Sequence, residues 1–525
     1  MPVLTAAWLH ADEACGEAEA GADAVLLAVD HRWLGLSGIV TDATEPAAAI
    51  ERLLGVARLL KQNSGAMPIL PLLATPPQPL FGSLDGMFAG TVAARIDQVN
   101  RAIRDFARDE GALVFDVAGI AAAAGTGLWF DPVAWNAQKQ PFAPACNALY
   151  ADRLGALLGA MRGKARKCLV LDLDNTLWGG AIGDEGLGGI VLGVGSALGE
   201  AFLGVQQTAL ALKQRGVVLA VASKNDDQVA RSPFREHPDM CLRESDIAVF
   251  QANWTDKASN LEAIADALSI GLDALVLLDD NPAERAQLRA ALPMVAVPEV
   301  PADPAHFSRM LLWAGYFEAT AFGADDVLRS DSYAANARRA EVQARSRDLG
   351  DYLGSLGMRL AVGPFDPGNR ARVTQLINKT NQFNLLTRRL SEREVEDMER
   401  DPAFVTLQAR LSDNFGDMGL IGVVTCHVAG PEAEVTDWLM SCRVLGRRVE
   451  EGIYHALAAQ LVRRGVASVR ARYVPTRKNS MVAEHFDRLG MELTAVDADG
   501  VRHYRAAIGA GQPAELPMAI HADAA

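Results

Sequence analysis

At 525 residues, half of them apolar, the chain is too long for one hydrophobic core, and its formal net charge of -15 disfavours non-specific binding to nucleic acid. No apolar run reaches the roughly 18 residues of a membrane span, and the acidic start (Asp12, Glu13, Glu17, Glu19) lacks the basic-then-apolar order of a signal peptide. Six scattered cysteines (Cys15, Cys146, Cys168, Cys241, Cys426 and Cys442) argue against zinc and against a disulfide framework, so a cytoplasmic location is expected.

In chain order, residues 1–162 alternate strands and helices. Strands are expected at 24–29, 68–73 and 113–117, with helices near 47–60, 92–110 and 147–161, which make an α/β layer. This segment faintly resembles SGNH-hydrolase-type domains. It has neither a nucleophilic serine motif nor the closing histidine, so a scaffold or partner-binding role is expected of it.

Residues 165–320 carry apolar strands at 169–171, 217–222, 274–278 and 294–297, separated by helices near 200–215, 260–268 and 283–291. That rhythm predicts a parallel sheet covered on both faces. A charged helical connector follows at 321–354. Residues 355–508 then read as α+β: a helix at 370–378, strands at 404–411, 419–429 and 434–440, a helix at 447–463 and a strand at 468–473. A helix at 480–489 and final strands at 492–496 and 502–507 complete it, and 509–525 reads as a loose tail.

The middle segment holds the clearest chemistry. The strand Leu169-Val170-Leu171 runs into Asp172 and Asp174, in a turn ending Asn175-Thr176, and two carboxylates beyond a buried strand are costly unless a cation meets them. Ligands of open parallel sheets bind at that edge. Three further groups fall where strands end: Ser223-Lys224-Asn225, Lys257, and Asp279-Asp280. In order and context the four pieces closely resemble the haloacid dehalogenase (HAD) superfamily.

That resemblance implies that Asp172 attacks phosphorus, and that Asp174 protonates the leaving oxygen and then activates water. It implies Mg²⁺ held by Asp172, Asp174 through its carbonyl, and Asp279, with Asp280 holding a metal-bound water or positioning Lys257. Lys257 neutralises phosphoryl charge, and Ser223, Lys224 and Asn225 bind the phosphate. A carboxylate nucleophile needs such cations, because its repulsion from an anionic phosphate must be cancelled. The short gaps between these pieces leave no room for a large cap domain, which suits a bulky or protein-presented substrate.

A second site is expected around Ser441 to Arg447, between an apolar strand and a helix, in a layout that resembles GNAT-type acyltransferases. The glycine-rich turn of that family, which cradles the pyrophosphate of coenzyme A, is reduced here to Gly446 followed by two arginines. Cys442, near Arg443, Arg447 and Arg448, is the candidate acyl-accepting thiol, with His455 as a candidate base; a buried structural cysteine is the alternative. Cys168 and Cys426 read as core. Asn378, Lys379, Thr380, Asn381 and Asn384 are assigned to substrate or pantetheine contacts, against capping and interdomain hydrogen bonds.

Taken together, Lys167–Gly180, Gly183–Gly186, Asp279–Arg285, Asn378–Asn384, Asp413–Gly422 and Ser441–Arg447 resemble the FkbH-like proteins over nearly the whole chain. The resemblance implies a HAD-type Rossmann-like sheet flanked by an SGNH-like and a GNAT-like domain. It also implies a bifunctional glyceryltransferase and phosphatase. The substrate would be 1,3-bisphosphoglycerate, and the acceptor the phosphopantetheine thiol of an acyl carrier protein, for methoxymalonyl or hydroxymalonyl extender units. The stretch 443–478, with nine Arg or Lys against two Glu, is a candidate docking face for an acidic carrier. Two other readings fit the same residues: a plain HAD phosphatase with a partner-binding third segment, and a non-catalytic module that recruits a carrier protein.

Overall fold

The computed structural model describes residues 22–40, 45–323, 335, 339, 342, 348–380, 382–441, 444–476, 478–509 and 515–522. The chain divides into two compact units, residues 1–158 and 159–525. In the first, strands β1 (Ala24–Leu26), β2 (Met67–Pro71) and β3 (Leu113–Phe115) form a parallel sheet in that order. Helices α1 (Glu45–Ser64) and α2 (Val92–Phe106) pack Leu53, Ala57, Ile96, Val99 and Ile103 into its core. Helix α3 (Asn147–Met161) leads out of this unit. Among the described residues no single helix is long and apolar enough to cross a membrane.

The second unit contains two sheets. The first joins β4 (Cys168–Leu171), β5 (Val218–Ser223), β6 (Val249–Ala252) and β7 (Leu275–Leu278), all parallel, in the order β6-β5-β4-β7. Alternate residues of these strands feed two cores. Leu169, Leu171, Val221 and Leu278 face one side with Phe234 and helix α4 (Ala197–Gln214), next to α5 (Asp227–Glu236). Val170, Ala220 and Leu277 face the other with α6 (Lys257–Leu268) and α7 (Pro282–Ala291). Burial on both faces explains why β4 and β7 read as continuous apolar runs. The strand expected at 294–297 does not form; Ala296 makes only an isolated bridge to Val276.

The second sheet has eight strands. They are β8 (Met358–Gly363), β9 (Phe404–Asp413), β10 (Gly416–Ala429), β11 (Glu432–Met440), β12 (Ser468–Tyr473), β13 (Glu492–Val496), β14 (Arg502–Ala507) and β15 (Met518–Ala522). Their order is β13-β14-β12-β11-β10-β9-β8-β15. Helices α8 (Arg370–Lys379), α9 (Glu392–Arg400), α10 (Val449–Arg463) and the short α11 (His485–Arg488) accompany it. Helix α10 is the crossover between β11 and β12, which run parallel within an otherwise antiparallel run from β8 to β14.

The tail corrects the expectation of a loose end, because β15 pairs in parallel with β8 along its whole length. Met518 and Ile520 alternate with the exposed Ala519 and His521, and they close against Leu360 at Gly452. A Cβ at Gly452 would stand 2.6 Å from the tip of the Leu360 side chain, so a larger residue there would make Leu360 shift.

Between β11 and β12 the parallel pairing covers only Glu432–Glu434 and Ser468–Arg470, after which the strands diverge. The backbone of Phe383 to Leu385 fills the gap. Met440 N donates to Phe383 O (3.0 Å), Leu385 N to Trp438 O (3.0 Å) and Val474 N to Leu385 O (2.8 Å). Of the connector expected at 321–354, residues 324–347 lie outside the described set apart from three positions.

Candidate active site

Strand β4 has β5 on one side and β7 on the other, so the chain changes direction across the sheet at β4. A crevice opens at such a point beyond the carboxyl ends of the strands. Asp172 follows β4 there and Asp279 follows β7. The carboxylates of Asp172, Asp279 and Asp280 each offer an oxygen within 4.8 Å of the others. The turn holding them is built by its neighbours. Asn281 N donates to Asp279 Oδ1 (2.8 Å), Asp280 N to Thr176 Oγ1 (3.2 Å), and the buried Arg285 to the carbonyls of Asp279 (3.0 Å) and Asp280 (2.6 Å).

Lys257 starts α6, just after the N-cap Asp256, whose side chain accepts from Ser259 N. Its Nζ, buried, lies 3.1 Å from Asp172 Oδ1 and 2.6 Å from Glu284 Oε2, and it also contacts Asp279 Oδ2. Thus Asp279 and Glu284, with Asp172, hold Lys257 in place. Glu284 Oε1 meets Lys224 Nζ at 3.0 Å. Asp174 stands apart from the acidic trio. Its Oδ1 accepts from Trp178 Nε1 (2.9 Å) and Ile182 N (3.0 Å), and its Oδ2 from Asn225 Nδ2 (2.8 Å). Asn175, at φ +55°, turns the chain just beyond both aspartates and accepts from Gly180 N.

Burial, with Asp279 adding to it and Lys257 opposing, pushes Asp172 up to about 7. Burial and the charge of Asp279 also raise Asp280. Burial alone would lower Lys257, but Asp172, Asp279 and Glu284 outweigh it and raise its pKa. Three crowded carboxylates against one buried lysine leave an excess of negative charge. Hard oxygen donors in this number and spacing fit a divalent cation of the magnesium kind.

The remaining expected residues fall as follows. Ser223 ends β5, buried at the same sheet edge. Between Asp172 and β5 lie only turns, a short helix (Ile182–Glu185) and α4, with no inserted sheet. Cys442, Arg443 and Asn381, and the side chain of Lys379, lie outside the described residues. Arg447 is buried, with Nη1 3.5 Å from Asp413 Oδ2 and 3.2 Å from Met418 Sδ, so it is turned inward. Asn378 exchanges two hydrogen bonds with the backbone of Leu390, and Asn384 accepts from Leu386 N and Thr387 N while donating to Thr380 O. Both amides are thereby committed to holding loops.

Gly446 takes φ +74° in the turn before α10 and Arg448 φ +60° at its start. His455 lies well inside the helix. In the basic stretch, Arg448 pairs with Glu451, Arg472 with Glu434, and Arg470 with Glu432. Much of its charge is therefore met within the fold. Burial raises the thiol pKa of both Cys168 and Cys426, which sit in cores as expected.

Sequence reasoning left two contributors unassigned. Glu284 stands five residues beyond Asp279, and the Asn281-Pro282 start of α7 fixes its register so that it reaches back to the strand end. Gln206, fully buried on α4, donates to Leu177 O and accepts from Cys241 N, supporting the turn from behind.

No family model and no curated protein sequence matches the chain. Among solved structures, the N-terminal part of the protein BF1531 from Bacteroides fragilis, which contains a phosphatase domain and was crystallised with Mg, is 32% identical. The match covers 57% of this chain and 80% of that one, with a TM-score of 0.54. The GNAT domain of S. lividans PAT aligns over 28% of this chain and 89% of its own at 20% identity and TM-score 0.24. The ribosomal-protein-S18-alanine N-acetyltransferase from Escherichia coli aligns over 30% and 99% at 14% identity and TM-score 0.23. By the first of these matches, the chain belongs to the family of HAD-like phosphatase-domain proteins represented by the N-terminal part of BF1531.

Proposed function

We propose that the protein is a Mg²⁺-dependent phosphohydrolase whose nucleophile is Asp172. The observation that carries this reading is the buried acidic trio at the sheet edge, with Lys257 bonded across it. Asp172, Asp279 and Asp280 would hold the ion, which when bound supplies positive charge for the phosphoryl oxygens and favours ionised Asp172. Asp172 attacks phosphorus and the bond from phosphorus to the ester oxygen breaks. Asp174, aimed by Trp178, Ile182 and Asn225, gives that oxygen a proton, then takes one from the water that releases phosphate from Asp172. Lys257 and Ser223 meet the phosphoryl oxygens. The test is phosphate release from phosphomonoesters with Mg²⁺ and its loss in Asp172→Asn.

The finer reading is that this activity serves acyl transfer in the same chain. 1,3-Bisphosphoglycerate would give its glyceryl group to a thiol, for which Cys442 is the candidate, with phosphate leaving from the acyl carbon. The phosphopantetheine thiol of an acyl carrier protein would then accept it, toward methoxymalonyl or hydroxymalonyl units. This reading rests on the resemblance to FkbH-like proteins, with the GNAT-like arrangement of β11, α10 and β12 in its favour. Intact-protein mass spectrometry with 1,3-bisphosphoglycerate, Mg²⁺ and a carrier tests it. A glyceryl adduct on the carrier that disappears in Cys442→Ala supports it, and persistence of the adduct removes Cys442 from the mechanism.

A further inference from the structure

Lys257 has three N–H donors, and the structure gives it three carboxylates: Asp172, Asp279 and Glu284. These acceptors are not equivalent. Asp172 and Asp279 belong to the trio suited to a cation, and Asp172 must also be free to attack. Glu284 has no such duty. It sits in the first turn of α7, its side chain 19% exposed, outside the trio. With Asp172 and Asp279 engaged elsewhere, Glu284 is the anchor that keeps a long, rotamer-rich lysine in one place.

The second oxygen of Glu284 matters too. It holds Lys224, whose side chain is 40% exposed at the rim of a small pocket lined by Lys224, Lys257, Ala258, Glu284, Gln287 and Leu288. One carboxylate shared by two ammonium groups steadies both without cancelling both charges. Both ammonium groups are thereby kept in place for an incoming phosphoryl group.

We propose that Glu284 is a positioning residue for phosphoryl transfer, a shared counter-ion that holds Lys257 over the phosphoryl site with Lys224 balancing it from the rim. The proposal rests on the phosphohydrolase reading above, and its test separates the two. In the full-length protein, Glu284→Gln should lower kcat for p-nitrophenyl phosphate about 10- to 100-fold and raise KM up to about tenfold, because a misplaced lysine is lost to both the bound and the reacting phosphoryl group. Glu284→Asp, which keeps the charge on a shorter arm, should recover part of that loss and decides the matter if the glutamine variant does not fold. In a Lys257→Met background, Glu284→Gln should add nothing.

Calorimetric binding of inorganic phosphate gives a readout independent of turnover, and Glu284→Gln should weaken it about tenfold. A glutamate that merely staples α7 to α6 would lower the melting temperature and leave kcat and phosphate affinity unchanged. That result, alongside an inactive Asp172→Asn, would overturn the positioning role and keep the phosphohydrolase. If the wild type releases no phosphate, the phosphohydrolase reading is what fails, and phosphate affinity alone then decides for or against the role of Glu284.

Discussion

The carboxyl edge of the four-stranded sheet and the diverging strands of the eight-stranded sheet both bury polar side chains, to opposite ends. At the first, Asp172, Asp279 and Asp280 crowd together with one lysine between them, and burial drives Asp172 up to about 7. At the second, Asn384 and Asn479 are nearly or fully buried and satisfied. Asn479 donates to Asn384 O and Val474 O (2.9 Å each) and accepts from Thr476 N (2.7 Å) and Tyr473 OH (3.2 Å). Crowded like charges with one lysine among them suit a cation, whereas amides whose groups are all paired specify a shape.

The largest expected effect tests the first half of that contrast. Asp172→Asn should reduce phosphate release by at least about a thousandfold, since it removes the proposed nucleophile. It should not lower the melting temperature, because a crowded buried charge is lost with it. Chelation of divalent ions should abolish activity and Mg²⁺ restore it. Mg²⁺ at about 100 times its dissociation constant should add about 2.7 kcal/mol of stability, read as a rise in melting temperature. No rise would mean that the trio does not bind the ion.

The opposite signature is expected at the second region. Asn479→Ala leaves several backbone groups unpaired and should cost about 3 kcal/mol in denaturant unfolding while phosphate release stays at the wild-type rate. A pH-dependent effect, absent near neutrality, comes from His485, packed among Phe383, Trp438 and Phe486. Burial first, then Arg488, lowers its pKa from 6.5 to about 3. The unfolded chain therefore binds the proton more readily. The stability contributed by neutral His485 is complete above about pH 6.5 and falls as pH drops toward 3, by about 1.4 kcal/mol per pH unit. His485→Phe should flatten that part of the acid unfolding profile.

The first region was legible in the sequence because its chemistry is local to strand ends. Asp172, Asp174, Ser223 and Asp279 each lie on or just after an apolar run, and a parallel sheet brings such ends together whatever the length between them. Glu284 was harder to see, since its role depends on how a capped helix turns back on the strand before it. The role of Asn384 was not legible: its side chain ties together Thr380, Leu386 and Thr387 while its backbone meets Leu439 and Asn479 about 55 and 95 residues away, and an Asn-rich motif reads equally as a ligand site or as a loop clamp. The pairing of β15 was hidden for a related reason. Its partner β8 precedes it by more than 150 residues, and its two apolar contacts lie in a tail of small residues.

The strand-like insertion of Phe383 to Leu385 bears on what the eight-stranded sheet can accept. Diverging parallel strands expose peptide groups that any extended chain could pair with. Here those groups are already bonded to a piece of the same polypeptide. Any extended chain arriving from solution thus competes with a tethered occupant whose effective concentration is of millimolar order or more. The opening between the strands is therefore closed to simple strand addition by a segment that cannot diffuse away.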